Sequence, residues 1–356
     1  LAKKQNQDNQ QNNNSLEDDL KDVKRLSSAK KQFLKLLSSE QKSIQRAFLS
    51  MLRRVDEDLS DAQIEKWVRE KDIRAFVKFF SDYVEEFASE LPKSFVRAAR
   101  KEIESLTAEG AFGVGKVKIG FDPGDKAAAK TIETSRLRLI REMSNTQKDS
   151  VRSAISRSLK MGHNPKDAAR EFRNSIGLTR NQLTSVNNYQ DALERGSTQA
   201  LDRALRDKRF DSTVERAISN DDVLSSRQIE RMTTRYAENM KRYRSETIAR
   251  TEAMRTVNEG KQESWKQAAK KLGMAASDPQ KMWITTLDGR ERDTHADMNR
   301  QTVDLDDVFE SPSGEELFFP GDPLADGDET INCRCTMTVH FPASKMRLGK
   351  AFEPGY

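Results

Sequence analysis

The sequence predicts a mainly α protein, an N-terminal and central helical body followed by a small C-terminal α+β module. Three observations lead there. Apolar residues are 35% of the 356 and charged residues 33%, a balance that suits helices with solvated faces better than one large core. Through most of residues 16–272, apolar positions recur at three- and four-residue steps. After residue 273 the texture turns to short alternating segments between loops rich in proline, glycine and acid.

Residues 1–15 are mostly Gln, Asn and Lys and read as a disordered tail without the apolar stretch of a signal peptide. An N-terminal helical region is expected over 16–108. Phe33, Leu36, Leu37, Ile44, Phe48 and Leu52 form its first apolar stripe. Ser60 with Gln63 forms a capping box for a helix burying Ile64, Trp67 and Val68. Phe76, Phe79, Phe80, Tyr83 and Phe87 follow at helical spacing and read as core. Residues 109–125 hold five glycines and a proline and read as an inter-domain connector, in which Val114, Val117, Ile119 and Phe121 predict a short strand or hairpin. Its lone G-x-G lacks the βαβ setting of a dinucleotide site.

A central helical region is expected over 126–272. Its first helix ends near residue 160, before a turn in which His163 reads as a surface residue. Asn164 caps the next helix and Pro165 opens it. Gly177 ends it, and Thr179 with Gln182 starts another. Residues 182–206 and 224–272 read as two further helices joined by the segment from Asp207 to Ser225. The acidic module over 273–341 should hold a strand beginning near Lys281, a turn at Asp288-Gly289 and a second strand within Glu329–Phe341. A short tail, 342–356, follows. No stretch approaches the ~18–20 apolar residues of a membrane span.

Charge is divided unevenly. Residues 273–341 carry five Lys/Arg and fifteen Asp/Glu and residues 342–356 a balance of +2, so the net +5 leaves +13 on residues 1–272. Such a body suits solvated helix faces, non-specific contact with nucleic acid or an acidic protein surface, whereas phosphate would repel the acidic module. With two cysteines one residue apart, an intramolecular disulfide is sterically poor, and a reducing compartment is the simpler expectation.

Cys333 and Cys335, at i and i+2 of the second strand, should show both thiols on one face. With His295, or with Asp288, Asp293 or Asp297, they form a candidate zinc site. The C-x-C spacing is not that of a zinc knuckle, and buried core thiols or a redox pair are the competing readings. His295 reads as a general base or as a residue hydrogen-bonded in a folded turn. The Arg250-Thr251-Glu252 triplet invites comparison with ADP-ribosyl transfer, but on a helix Arg250 and Glu252 lie about 200° apart. Glu252 is placed to meet Arg255, while Arg250 shares a stripe with Met254 and Val257.

The blocks "IARTEAMRTVNEGKQESW", "KMWITTLDGRERDTHADMNRQTV", "FPGDP" and "INCRCTMT", in that order, resemble the phage Mu protein F-like domain of phage minor head, or head morphogenesis, proteins. Arg250, Thr251, Glu252, Asn258, Trp283, Asp288, Arg290, Arg292, His295, Pro320, Asn332, Cys333, Arg334 and Cys335 carry the pattern, over about 245–340. Two positions depart from it. Glu291-Arg292 stands where Arg-Thr is common, and Glu329-Thr330-Ile331 precedes the Asn-Cys-Arg-Cys block where His-Pro is common. The resemblance implies a structural virion protein associated with the portal inside the capsid, acting in procapsid assembly or in genome packaging and delivery. It implies portal protein, and capsid or scaffold proteins, as partners, with no cofactor and no catalysis. The competing reading is a metal-dependent hydrolase or nuclease built on His295, Cys333 and Cys335, or the same residues holding a structural zinc.

Overall fold

The computed structural model describes residues 28–108, 110–112, 119–162, 164–275, 277–286 and 289–346. The expected tail over 1–15, the helix start near Leu16, Val114, Val117, His163, Asp288 and residues 347–356 lie outside the described residues.

Helices α1 (Ser28–Asp58), α2 (Asp61–Glu70), α3 (Ile73–Ala88) and α4 (Glu90–Ala108) come first. Helices α5 (Lys126–Met161), α6 (Pro165–Ser175), α7 (Arg180–Glu194), α8 (Asp211–Ser219) and α9 (Ser226–Lys271) follow. The C-terminal stretch holds β1 (Gln280–Ile284), α10 (Asp293–Asp297), β2 (Thr302–Asp304) and β3 (Phe309–Glu310), then β4 (Glu316–Leu317), α11 (Gly327–Thr330) and β5 (Thr336–His340). The mainly α class with a small α+β C-terminal module is the observed one. No helix among the described residues is long and apolar enough to cross a membrane.

Helix starts fall where side chains satisfy the free N–H groups of a first turn. Ser60 and Gln63 close a reciprocal box at α2, Asn164 accepts from the Asp167 N–H at α6, and Thr179 and Gln182 close a second box at α7.

Two expectations are corrected and one segment gains an element. The helix expected over 182–206 stops at Glu194, because Gly196 takes a left-handed φ of +61° and Ser197 opens a short 3₁₀ turn. The joining segment, to which the sequence reading gave no element, contains α8, which buries Val214 and Ala217 at helical spacing. Ile119 and Phe121 form no strand; both are buried, and Phe121 packs on Phe95. The hairpin β3–β4 had no counterpart in the sequence reading, since each strand is two residues long and Gly314, at φ +88°, turns between them.

The described residues fall into two compact units that interleave along the chain. One takes residues 46–88 and 137–246, the other 28–45, 89–136 and 247–346. Helices α1, α5 and α9 contribute residues to both, which contiguous segments cannot express. Residues 119–125 belong with the second unit.

In the first unit, the Phe172 ring meets Phe76 edge-on at 4.9 Å and Trp67 at 6.3 Å, and Tyr189 stacks on Tyr236 at 4.6 Å. Arg173 fastens the α1–α2 corner through Asp56, Asp61 and the Leu59 carbonyl. Buried Gln147 of α5 accepts from the Gly177 N–H and donates to the Ser175 carbonyl, fixing the corner after α6. The second unit has its own core, in which Phe95, Trp265, Trp283, Phe309 and Phe341 take part. Its three-stranded antiparallel sheet has the order β2-β1-β5, with Trp283 opposite Met337.

Gly260 lies where α9 meets α4. A Cβ there would sit 2.8 Å from the Phe95 carbonyl oxygen, a backbone atom with no room to retreat. Mid-helix Gly→Ala ordinarily stabilises by about 0.5–1 kcal/mol. Here overpacking reverses the sign, and Gly260→Ala should cost about 1–3 kcal/mol in urea unfolding. A neutral or stabilised variant would contradict this contact.

Candidate functional site

The site is built on the last five turns of α9. Over residues 251–265 every residue except Glu259 is buried, although the stretch is rich in charged and polar side chains. A buried polar group without a partner costs roughly 1–3 kcal/mol, so each of these needs an acceptor or donor within the fold. The backbone of the C-terminal module supplies many. Asn258, with no exposed surface, donates to the carbonyls of Pro320 at 3.0 Å and Cys335 at 3.2 Å and accepts from the Thr336 hydroxyl at 3.0 Å. Arg255 donates to the Gly321 carbonyl at 3.0 Å and pairs with Glu252 at 2.6 Å. Lys261 reaches the Met337 carbonyl at 2.7 Å. Thr251 accepts the Asn332 N–H at 3.1 Å, and Arg250 donates to the Asn332 side-chain oxygen at 3.3 Å.

Those bonds shape the strand approach. Asn332 takes a left-handed φ of +59° and Gly321 a φ of +85°. Gly321 lies so close to α9 that an added Cβ would be 3.5 Å from Arg255 Cα. β5 begins only at Thr336, so Cys333 and Cys335 precede the strand, which corrects their expected place within it. Their thiols nevertheless converge. His295 Nδ1 lies 3.7 Å from Cys333 Sγ and 3.4 Å from Cys335 Sγ. The three residues are 1%, 1% and 0% exposed, with their ligand atoms within 4.8 Å of one another.

His295 comes from the short α10, which Arg292 helps to position by donating to the Ile331 carbonyl at 2.5 Å. Thr285, at the end of β1, donates to the His295 carbonyl at 2.6 Å. The Trp283 ring meets the imidazole edge-on at 5.3 Å and Phe309 at the same distance. On the far side, Nε2 lies 2.8 Å from Glu329 Oε2, a close contact that falls short of hydrogen-bond alignment. Glu329 is itself held by the hydroxyls of Thr294, Ser311 and Ser313. Burial works to raise its pKa, but the Ser313 bond, the facing His295 and the other hydroxyls bring it below the ordinary carboxylate value. The two thiols share a hydrogen bond, which lowers Cys333 against the effect of burial, while the same bond and burial raise Cys335.

Of the residues proposed as further ligands, Asp293 and Asp297 are exposed and stand apart from the buried cluster. Arg290 and Arg334 are half-buried, the Arg290 N–H meeting the Glu291 carboxylate at 3.1 Å. Glu329 and Lys261 do structural work that the motif reading missed. Lys261, three residues after Asn258, shares its helix face and was discoverable by that spacing. Glu329 gave no local signal, because it sits in the short α11 of an acidic stretch and its closeness to His295 exists only in the fold.

Lys281 of β1 was also missed. It is fully buried, donates to the Phe318 carbonyl at 2.8 Å, and lies over the rings of Phe309 and Phe318 at 5.2 and 5.7 Å. Burial, with a contribution from the charge of Lys266, lowers its pKa to about 7.

Residues 186–338 match the family described as Phage Mu protein F like protein. The chain is 37% identical over 89 residues to the minor head protein GP7 of Bacillus phage SPP1, a match covering 25% of this chain and 27% of that protein. It is 36% identical over 93 residues to the NAD(+)--arginine ADP-ribosyltransferase EFV of Enterococcus faecalis, covering 25% of this chain and 17% of that protein. The chain thus spans about a quarter or less of these relatives. No solved structure matches it.

Because the value for Lys281 lies below its ordinary 10.5, the unfolded chain binds more protons between about pH 7 and 10.5, and stability rises with pH across that window. The buried ammonium is most costly below pH 7. Lys281→Met should therefore be more stable than the parent at about pH 6, with the gap narrowing towards about pH 10. Urea unfolding at both pH values measures it, and a gap that does not change with pH contradicts the burial of a titrating amine.

Proposed function

Residues 186–338 match the Phage Mu protein F like family, and from that premise we propose that this chain is a minor head protein of a tailed bacteriophage. In this reading it is a structural component of the virion. It binds the portal inside the capsid, contacts capsid or scaffold proteins during assembly in the host cytoplasm, and serves procapsid assembly or genome packaging and delivery. The similarity to the SPP1 minor head protein supports the role in the head. The +13 on residues 1–272 suits non-specific contact with packaged DNA, and the acidic module suits a protein neighbour.

What carries the structural reading is the direction of the motif's polar side chains. Asn258, Arg255, Arg292 and Thr251 bind the module's own backbone, and His295 meets two buried thiols. A hydrolase needs its nucleophile or activated water within reach of a substrate, and His295, Cys333 and Cys335 are at most 1% exposed. Transferase chemistry like that named for the Enterococcus relative is likewise not assigned to this chain. Its similar segment is 17% of that protein, and Glu252 is buried in an ion pair with Arg255.

Co-expression of this chain with portal, scaffold and capsid subunits should yield heads that carry it, detected in purified particles. Omitting the portal should remove it from the particles. Particles that form with portal but without this chain would contradict the proposed role.

A further inference from the structure

The three buried donors around His295 are arranged for more than packing. A tetrahedral zinc with Zn–S of about 2.3 Å and Zn–N of about 2.05 Å places sulfur and nitrogen ligands about 3.5 Å apart. The separations of 3.4 and 3.7 Å from His295 Nδ1 to the two sulfurs bracket that value. All three ligand atoms lie within 4.8 Å of one another. The Cys335 N–H faces Cys333 Sγ at 3.5 Å.

The surroundings place a carboxylate beside the second ring nitrogen, where a metal-bound imidazole uses one. When Nδ1 takes the metal, the ring proton resides on Nε2, and metal-ligating histidines almost always present that proton to a carboxylate, carbonyl or water. Here the Glu329 carboxylate, held by three hydroxyls, places Oε2 2.8 Å from Nε2, within reach of that proton although not in hydrogen-bond alignment with it. Two thiolates and a neutral imidazole also balance a divalent cation, so the buried cluster gains no net charge.

We propose that His295 Nδ1, Cys333 Sγ and Cys335 Sγ bind one zinc ion, which ties the segment before β5 to α10. Binding displaces the thiol protons to solvent, and the fourth position goes to an exogenous ligand such as water. The ion ties these segments together through three protein ligands, and Glu329 is a positioning residue for His295.

The test uses the full purified chain, with zinc and cobalt(II) as probes. Elemental analysis should find about one zinc per chain. A strong chelator should lower the melting temperature and expose both thiols to a thiol reagent, and zinc should restore both. Cobalt(II) in place of zinc should give thiolate charge-transfer absorption and tetrahedral visible bands, lost in Cys335→Ser. Glu329→Gln, which keeps all three ligands, should bind zinc about 10–100-fold more weakly in competition with a chromophoric chelator. If Cys335→Ser fails to fold, the cobalt spectrum of the unaltered chain still decides. Zinc well below one per chain, with chelator-insensitive melting and no cobalt charge-transfer band, would overturn the proposal and leave the cluster as core thiols. That result would not touch the proposed role in the head.

Discussion

A polar helix segment is buried on nearly all sides, and much of the C-terminal module follows from that constraint. Helices that lie inside a protein are ordinarily apolar all round. Residues 251–265 of α9 carry Thr, Glu, Arg, Asn, Lys, Gln and Ser instead, and nearly all are buried. Such a segment is tolerated only where its donors and acceptors are matched. The matches come largely from irregular backbone, namely the carbonyls of Pro320, Gly321 and Cys335 and the N–H of Asn332, with the Met337 carbonyl of β5 added. The helix thereby does for these loops what a neighbouring strand does in a sheet. It also explains why a module with so few residues in strands holds one arrangement.

The same logic extends to the other flank of α9. Gln267 pairs with both backbone groups of Asp122, accepting its N–H and donating to its carbonyl, each at 2.9 Å. Lys271 reaches the Gly120 carbonyl at 2.5 Å. The Trp265 indole donates to Glu102 of α4 at 3.0 Å. Residues 119–125 are therefore part of the packing of this unit, where glycine content alone had suggested a connector.

Helix starts were legible because a cap is a local device. Ser60 and Thr179 announce themselves by the glutamine three positions on and Asn164 by the proline that follows it, and each is observed as a cap. The Glu252–Arg255 pair was legible for the same reason, being one helical turn apart. Non-local features were not. The stop at Gly196 was masked by helix-compatible residues on either side, and a two-residue strand such as β3 is too short to show alternation. The convergence of His295 with Cys333 and Cys335 was open in sequence as one possibility among several. Its positioning partner, Glu329, lies 34 positions from His295 and becomes a partner only through the fold. The family resemblance was readable because its blocks keep their order along the chain, and the matched region, 186–338, reaches further upstream than those blocks.

The central claim is that side chains of α9 hold the C-terminal module by bonding to its backbone, and Asn258 tests it most directly. Leucine is close in size and apolar, so Asn258→Leu preserves volume while leaving the Pro320 and Cys335 carbonyls and the Thr336 hydroxyl without this partner. At about 1–3 kcal/mol for each orphaned group, the variant should lose roughly 3 kcal/mol or more in urea unfolding. Amide exchange should accelerate most in residues 319–337. A loss below about 0.5 kcal/mol, within the range of an inconsequential substitution, with exchange there unchanged would show that apolar packing, and not these bonds, holds the module in place.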